Sequence, residues 1–181
     1  MKNTADHYGL VSRTLHWLMA LTIIGLLAVG IWMEGLSDDA SYKLTVYTLH
    51  KSTGFLMLFL VVFRVAWLAY SPAPALPAAV KSLDKRLAKA SKHVLYMLMV
   101  AVPLSGLLMS NYFGYPVNFY GLFKVPLLVA ESEEFGGAFH ELHGLFAYIL
   151  IGVLVLHIAG VIKHRFSTNP EENVLPRMLG K

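Results

Sequence analysis

Histidine is the residue type through which this chain can do redox or metal chemistry. The sequence has eight histidines and no cysteine, so disulfides, thiolate metal sites, iron–sulfur clusters and covalent c-type haem are excluded. His143 and His157 are fourteen residues apart. In a helix this step covers about 21 Å and almost four full turns, so both side chains point to the same face.

Four apolar runs are long enough to hold these histidines in a membrane. The chain is 56% hydrophobic and 14% charged, which is more apolar than a soluble domain of this size normally is. Each run approaches the length that a bilayer core of about 30 Å requires. The first run is long for a signal peptide and lacks a small-x-small cleavage pattern, so we expect it to be retained. The runs are residues 15–33, 52–70, 94–110 and 144–162.

The basic residues fall mostly on one side of this arrangement, called inner below, and the acidic residues on the other, called outer. By the positive-inside rule both termini face the cytoplasm. The sequence therefore predicts a single all-α domain, residues 1–181, forming a four-helix bundle in the bacterial inner membrane. Inner basic residues are Lys2, Arg13, Lys81, Lys85, Arg86, Lys89, Lys92, Lys163, Arg165, Arg177 and Lys181. Outer charged residues are Lys43, Lys51, Lys124, Glu34, Asp38, Asp39, Glu131, Glu133, Glu134 and Glu141.

The histidines fall at two levels of the predicted bundle. His16 and His157 lie towards the inner side on the first and fourth helices, while His50 and His143 open the second and fourth helices at the outer side. A single histidine at a membrane boundary is usually an ordinary interfacial residue. Two matched pairs on different helices instead favour two haems, each held between two histidines, and polar residues inside a span are often functional.

Three basic residues are candidates for contacts to haem propionates. Arg64 follows His50 by fourteen residues, which places it on the same helix face at the inner level. Its guanidinium suits a bidentate contact to a propionate, but the side chain is also long enough to reach the lipid headgroups. Lys51, beside His50, and Arg13, one turn before His16, are similar candidates.

The remaining histidines and the glycines have more ordinary interpretations. His140 supports a ligand, donates a proton or is an ordinary loop residue, whereas His164 lies in the headgroup zone and His7 and His93 are surface residues. Glycines within the spans, Gly106 among them, indicate close helix packing. Gly54 lies one turn from His50 and leaves room for a porphyrin face.

The ordered segments resemble the bacterial cytochrome b561 family, which includes the cytochrome b subunits of nickel hydrogenases. The resemblance implies a four-helix bundle with two b haems, where His16 pairs with His157 and His50 with His143. It also implies electron exchange with quinone, and some members look like superoxide oxidases. The matching segments are Leu15-His16-Trp17, Leu49-His50-Lys51-Ser52-Thr53-Gly54, Phe63-Arg64 to Trp67, Pro72/Pro74/Pro77, His143 with His157, and the basic tail from Lys163 to Leu179.

Electron transfer is therefore the expected activity. Two histidine ligands leave no open iron position, so outer-sphere transfer is favoured over oxygen binding. We expect electrons to pass between a periplasmic or membrane donor, such as a redox protein, dehydrogenase or hydrogenase subunit, and the quinone pool, with no nucleic acid as partner. Superoxide is an alternative donor. The acidic outer side argues against attracting an anion, although Lys51 and Lys124 offer a local positive funnel.

Two alternatives come from other functional classes. A small transporter or channel could use membrane histidines as a proton or metal pathway, but the internal repeats of many transporters are missing. A di-metal membrane enzyme needs histidines and carboxylates clustered at one depth, whereas these histidines divide between two levels. A haem spectrum distinguishes all these alternatives.

Overall fold

The computed structural model describes residues 1–180 and is dominated by four long helices, with 69% of the chain helical. They are α1 (Leu10–Glu34), α2 (Lys43–Tyr70), α3 (Ser82–Tyr112) and α4 (Glu133–Arg165). All four are long and apolar enough to cross a membrane. A short hairpin, β1 (Asn118–Phe119) and β2 (Phe123–Lys124), precedes α4. A 3₁₀ turn (Pro170–Glu172) and α5 (Leu175–Leu179) follow it. The all-α membrane architecture is confirmed.

The helices extend well beyond the apolar runs that reveal them. α2 begins at Lys43, nine residues before position 52, and α4 begins at Glu133, eleven before position 144. His50 and His143 therefore lie inside their helices, whereas the hydropathy suggests that they lie at the helix starts. Helical hydrogen bonding continues through polar turns outside the apolar layer, so hydropathy locates the membrane-spanning part but not the helix end.

Each long helix packs chiefly against its neighbours in sequence, α1 on α2, α2 on α3 and α3 on α4. Met19, Met57 and Val61 form a buried cluster between the helices. Large apolar side chains also cover the outside, where Leu21 is 69% exposed and Leu156 is 70% exposed. This outward apolar surface fits a protein whose solvent is lipid.

The outer end of the bundle is covered by the α3–α4 connection, in which the sequence analysis placed no structure. β1 and β2 pair antiparallel, and the turn between them contains Tyr120 and Gly121 with positive φ angles of 49° and 77°. Ser52 of α2 fixes the hairpin, because its hydroxyl donates to the Asn118 carbonyl at 2.9 Å and accepts from the Tyr120 amide at 3.1 Å. Strands of two residues are too short to leave a periodic pattern in the sequence.

Both ends of the chain meet at the opposite end of the bundle. The side-chain amide nitrogen of Asn3 donates to the carbonyl oxygen of Ser71, at the start of the α2–α3 linker, over 2.7 Å. The Trp17 indole donates to the Met178 carbonyl at 3.2 Å. The two terminal segments and the linker therefore lie on one side, the side here called inner. Lys181, one of the predicted inner basic residues, lies outside the described residues.

Candidate functional site

At the outer level, two histidines from different helices face each other. The rings of His50 on α2 and His143 on α4 have centroids 6.4 Å apart, with their planes at 89°. Both border a largely apolar cavity of about 230 Å³, which four glycines also line. The structure therefore brings together the outer pair that the sequence predicts. The glycines are Gly30, Gly54, Gly106 and Gly144.

Hydrogen bonding from α3 fixes the orientation of the His143 ring. Its Nδ1 lies 2.9 Å from the carbonyl oxygen of Val102 and 3.3 Å from the hydroxyl of Ser105. A carbonyl oxygen can only accept, so Nδ1 carries the hydrogen and Nε2 keeps a free lone pair. A ring held in this way by a backbone carbonyl is typical of a histidine that binds metal through its other nitrogen.

Glycines give these rings their space. A Cβ at Gly106 would lie 2.9 Å from Cε1 and 3.0 Å from Nδ1 of His143, and a Cβ at Gly30 would lie 3.4 Å from Cε1 of His50. By contrast, nothing lies within 4 Å of a Cβ at Gly54, so Gly54 lines the cavity without contacting a ring. The Nδ1 of His50 is buried and has no hydrogen-bond partner among the described residues.

The spacing of the outer rings leaves room for one metal ion between them. Imidazole binds metals at about 2 Å, so two rings on opposite sides of an ion have centres roughly 6 Å apart, close to the observed 6.4 Å. Within residues 1–180 no group of three histidine, aspartate or glutamate side chains is placed to hold a metal. A metal between His50 and His143 would therefore take its other ligands from outside this set of side chains, as the iron of a porphyrin does.

At the inner level, Arg64 connects three helices. Its Nε donates to the Tyr96 hydroxyl at 3.0 Å, and its Nη2 donates to Nδ1 of His16 at 3.1 Å. His157, the other predicted inner residue, is half-buried on α4. The guanidinium therefore points into the bundle, at the level of the predicted inner pair.

This inner contact fits a bound metal less directly than the outer one. Arginine has no acceptor, so Nδ1 of His16 accepts and Nε2 of the neutral ring carries the hydrogen. Metal binding through Nε2 of His16 needs a lone pair on that nitrogen. Arg64 must then release Nδ1, which makes its guanidinium available to an acidic group of a cofactor.

The remaining candidate residues are placed as follows. Lys51 borders the outer cavity and donates to the Ser110 hydroxyl at 3.2 Å. His140 also borders the cavity, and its side chain is 56% exposed. The Arg13 guanidinium lies against the backbone of Gly180, and its Nε is buried without a partner among the described residues.

His164 has a more specific setting than the headgroup zone that the sequence suggested. Its Nδ1 lies 3.4 Å from Glu172, and its Nε2 lies 4.0 Å from Asp84. These contacts connect the inner ends of α3 and α4 to the C-terminal segment. His7 and His93 are exposed, as expected.

Sequence reasoning did not find Val102 and Tyr96, and it gave Gly106 only a packing role. Val102 acts through its backbone carbonyl, and residue type carries no signal for such a role. Tyr96 resembles the other aromatic residues of the spans. The one available signal was Gly106, a glycine inside a predicted span, because a missing Cβ marks a place where another group approaches closely.

Comparison with known proteins places this site in a family. The sequence profile of the prokaryotic cytochrome b561 family matches residues 7–181. The chain belongs to this family. It is 35% identical over 182 residues to cytochrome b561 homolog 2 of Escherichia coli (strain K12), covering 99% of this chain and 94% of that protein. It is 26% identical over 179 residues to the probable superoxide oxidase CybB of Yersinia pestis, covering 96% of both.

Family membership confirms the resemblance seen in the sequence. As a cytochrome b561, the protein transfers electrons in a bacterial membrane, and a b-type haem is the cofactor that the family implies. The outer histidine pair and the apolar cavity beside it are the candidate site for that group. Membership in a cytochrome family also leaves the transporter alternative without support.

Proposed function

We propose that this cytochrome b561 carries two b haems and passes electrons between a donor and the quinone pool. His50 and His143 hold the outer haem, and His16 and His157 hold the inner one. The observation that carries the proposal is the outer pair, whose rings face each other across 6.4 Å beside an apolar cavity. Haem b supplies reversible one-electron chemistry when it is bound.

Each side chain at the outer level has a distinct task. His143 is held by the Val102 carbonyl at 2.9 Å, which keeps its Nε2 unprotonated and free to bind a metal. His50 approaches from α2. Gly106 and Gly30 let both rings sit against backbone, and the apolar lining excludes water, which is one way a protein tunes a redox potential.

At the inner level, Arg64 holds the positive charge of the site. Its guanidinium is shared between Tyr96 and His16, and we propose that it turns from His16 to a haem propionate when the inner haem binds. Arginine suits this exchange because its five donors serve two partners at once. His16 and His157 lie on α1 and α4, so the inner haem joins the first and last long helices.

We further propose that the inner end faces the cytoplasm and that the membrane is the bacterial inner membrane. The support is the charge distribution, with eleven basic residues towards the inner side and three towards the outer. Short cytoplasmic loops carry this excess of lysine and arginine. The physiological donor, whether a periplasmic redox protein or a dehydrogenase or hydrogenase subunit, then meets the acidic outer end, and quinone exchanges with the protein from the lipid.

A reduced-minus-oxidised spectrum with a haem count tests the proposal. We expect two b haems per chain with low-spin bands. His16→Ala or His157→Ala should remove the inner haem, and His50→Ala or His143→Ala the outer one, leaving one haem per chain in each variant. Two haems retained in any of the four would contradict the pairing, and a colourless wild-type protein would contradict the proposed function.

Superoxide is the second candidate donor. Its support is the likeness to the probable superoxide oxidase CybB and the position of Lys51 and His140 on the outer cavity. Two superoxide anions would each give up one electron and leave as O₂, while one quinone takes both electrons and two protons. Glu34 lines the same cavity and opposes the approach of an anion.

Opposite charge changes at this cavity test the superoxide candidate. Because steering depends on local charge, Lys51→Gln should slow superoxide-driven quinone reduction several-fold at low salt, and Glu34→Gln should accelerate it. Both effects should shrink as ionic strength rises. Equal rates in both variants, or no quinone reduction by superoxide in the wild type, would leave quinone exchange with another donor as the function.

A further inference from the structure

The first three turns of α3 carry an unpaired basic surface near the inner membrane boundary. Lys85, Lys89 and Lys92 lie at i, i+4 and i+7 and share one helix face, with Arg86 next to it. Arg86, Lys89 and Lys92 are exposed. Lys85 donates to the Ala78 carbonyl at 3.2 Å. These four residues are called the α3 basic surface below.

Two contacts show how deep this surface lies. Arg64 meets Tyr96 at 3.0 Å, and α2 ends at Tyr70, six residues or about 9 Å further on. Because α2 and α3 run antiparallel, the end of α2 lies beside residue 90 of α3. Lys163, near the end of α4, contacts Asp84 at 2.8 Å.

The ends of the neighbouring helices thus bracket residues 84–90 of α3. The headgroup layer is roughly 5–8 Å thick on each side of a bilayer, and residues 85–92 extend over about 10 Å. The α3 basic surface therefore lies at headgroup depth rather than in a projection into water.

No acidic side chain neutralises this surface. Asp84 is the one acid in the first three turns of α3, and both of its oxygens contact Lys163, at 2.8 and 2.9 Å. Within residues 1–180, no carboxylate forms an ion pair with Arg86, Lys89 or Lys92. The positive charge is thus available to a ligand from outside the chain.

Below Arg86, the same side of α3 is apolar and exposed. Met97 and Leu104 follow Arg86 by eleven and eighteen residues, about three and five full turns, so they share its side of the helix, and they are 62% and 42% exposed. A partner that covers this part of α3 must therefore present anionic groups at headgroup level and hydrocarbon beside them.

We infer that the α3 basic surface is a binding site for anionic phospholipid. The lipid phosphate contacts Arg86 and Lys89, with the charge of Lys92 nearby, and its acyl chains run along Met97 towards Leu104. Clusters of lysine and arginine next to a membrane helix attract anionic headgroups in this way. The inference is independent of the number of haems and of the electron donor.

Lipid binding to the full-length protein, purified in detergent, tests this inference. Phosphatidylglycerol should bind more tightly than phosphatidylcholine with the same acyl chains, as measured by native mass spectrometry. Each cation contributes about 5-fold, so Lys89→Gln/Lys92→Gln should weaken phosphatidylglycerol binding about 25-fold. Lys89→Arg/Lys92→Arg should retain it.

The control removes the same amount of charge from the outer side. Lys43→Gln/Lys124→Gln should bind phosphatidylglycerol like the wild type. Equal binding of the two lipids, or equal weakening in both double variants, would overturn the inference. Displacement of the lipid by inorganic phosphate at matched concentration would also overturn it, because the surface would then be a general anion site.

Discussion

Gly106→Ala is the substitution for which the structure gives the most specific expectation. The added Cβ would lie 2.9 Å from Cε1 of His143, whereas ordinary contact begins at 3.4 Å. The ring must therefore move by about 0.5 Å. Moving it away from α3 stretches the 2.9 Å contact from Nδ1 to the Val102 carbonyl to about 3.4 Å, beyond the usual range of such bonds.

The magnitude follows from two costs and one gain. Overpacking a tight site costs about 1–3 kcal/mol, and weakening the bond to Val102 adds about 1 kcal/mol. Replacing glycine by alanine inside a helix stabilises the helix by about 0.5–1 kcal/mol. The net loss is therefore about 1–3 kcal/mol, which corresponds to roughly 5- to 150-fold weaker binding of the outer haem if the ring must return to its present position to hold iron.

Gly152→Ala is the matched control, because nothing lies within 4 Å of a Cβ at Gly152 on α4. The assay is a haem titration of each variant, followed by the low-spin band and by the thermal midpoint before and after haem is added. Gly106→Ala should lose outer haem affinity, while Gly152→Ala should equal or exceed the wild type in stability. Indistinguishable haem affinity in the two variants would refute the argument that the missing Cβ at Gly106 positions His143.

Three further results are expected. Arg64→Gln should keep both haems but weaken binding of the inner haem by about 10- to 150-fold, the value of a charged hydrogen bond. A haem titration measures this affinity, and Arg64→Lys should restore it in part. Unchanged affinity in Arg64→Gln would favour contact of Arg64 with lipid headgroups. Burial, with a smaller contribution from Tyr96, raises the pKa of the Tyr8 phenol. The contribution of Tyr8 to the stability of the folded protein is therefore complete below about pH 10 and is lost as pH rises through the raised pKa. Tyr8→Phe should remove this alkaline loss of stability, as measured by thermal unfolding. His140→Ala and His164→Ala should leave the haem count unchanged, and a missing haem in either variant would identify that histidine as a haem ligand.

The features that depend on local periodicity can be predicted from the amino-acid sequence alone. Hydropathy over runs of about 20 residues located the four membrane helices, because a bilayer demands that length. The fourteen-residue step from His143 to His157 placed these two histidines at different depths on one helix face, because the rise and turn of a helix are fixed by its backbone. Helix ends were missed, since polar turns continue a helix without an apolar signal.

The surroundings of each histidine depend on how the helices pack and cannot be predicted from one helix at a time. The distance of 6.4 Å between His50 and His143, the carbonyl of Val102 on His143, and the contact of Arg64 with His16 all join different helices. The rotation and depth of one helix against another follow from side-chain packing along the whole interface, and periodicity within one helix does not specify them. A backbone carbonyl and a missing Cβ, which together orient His143, have no side-chain chemistry that a sequence can show.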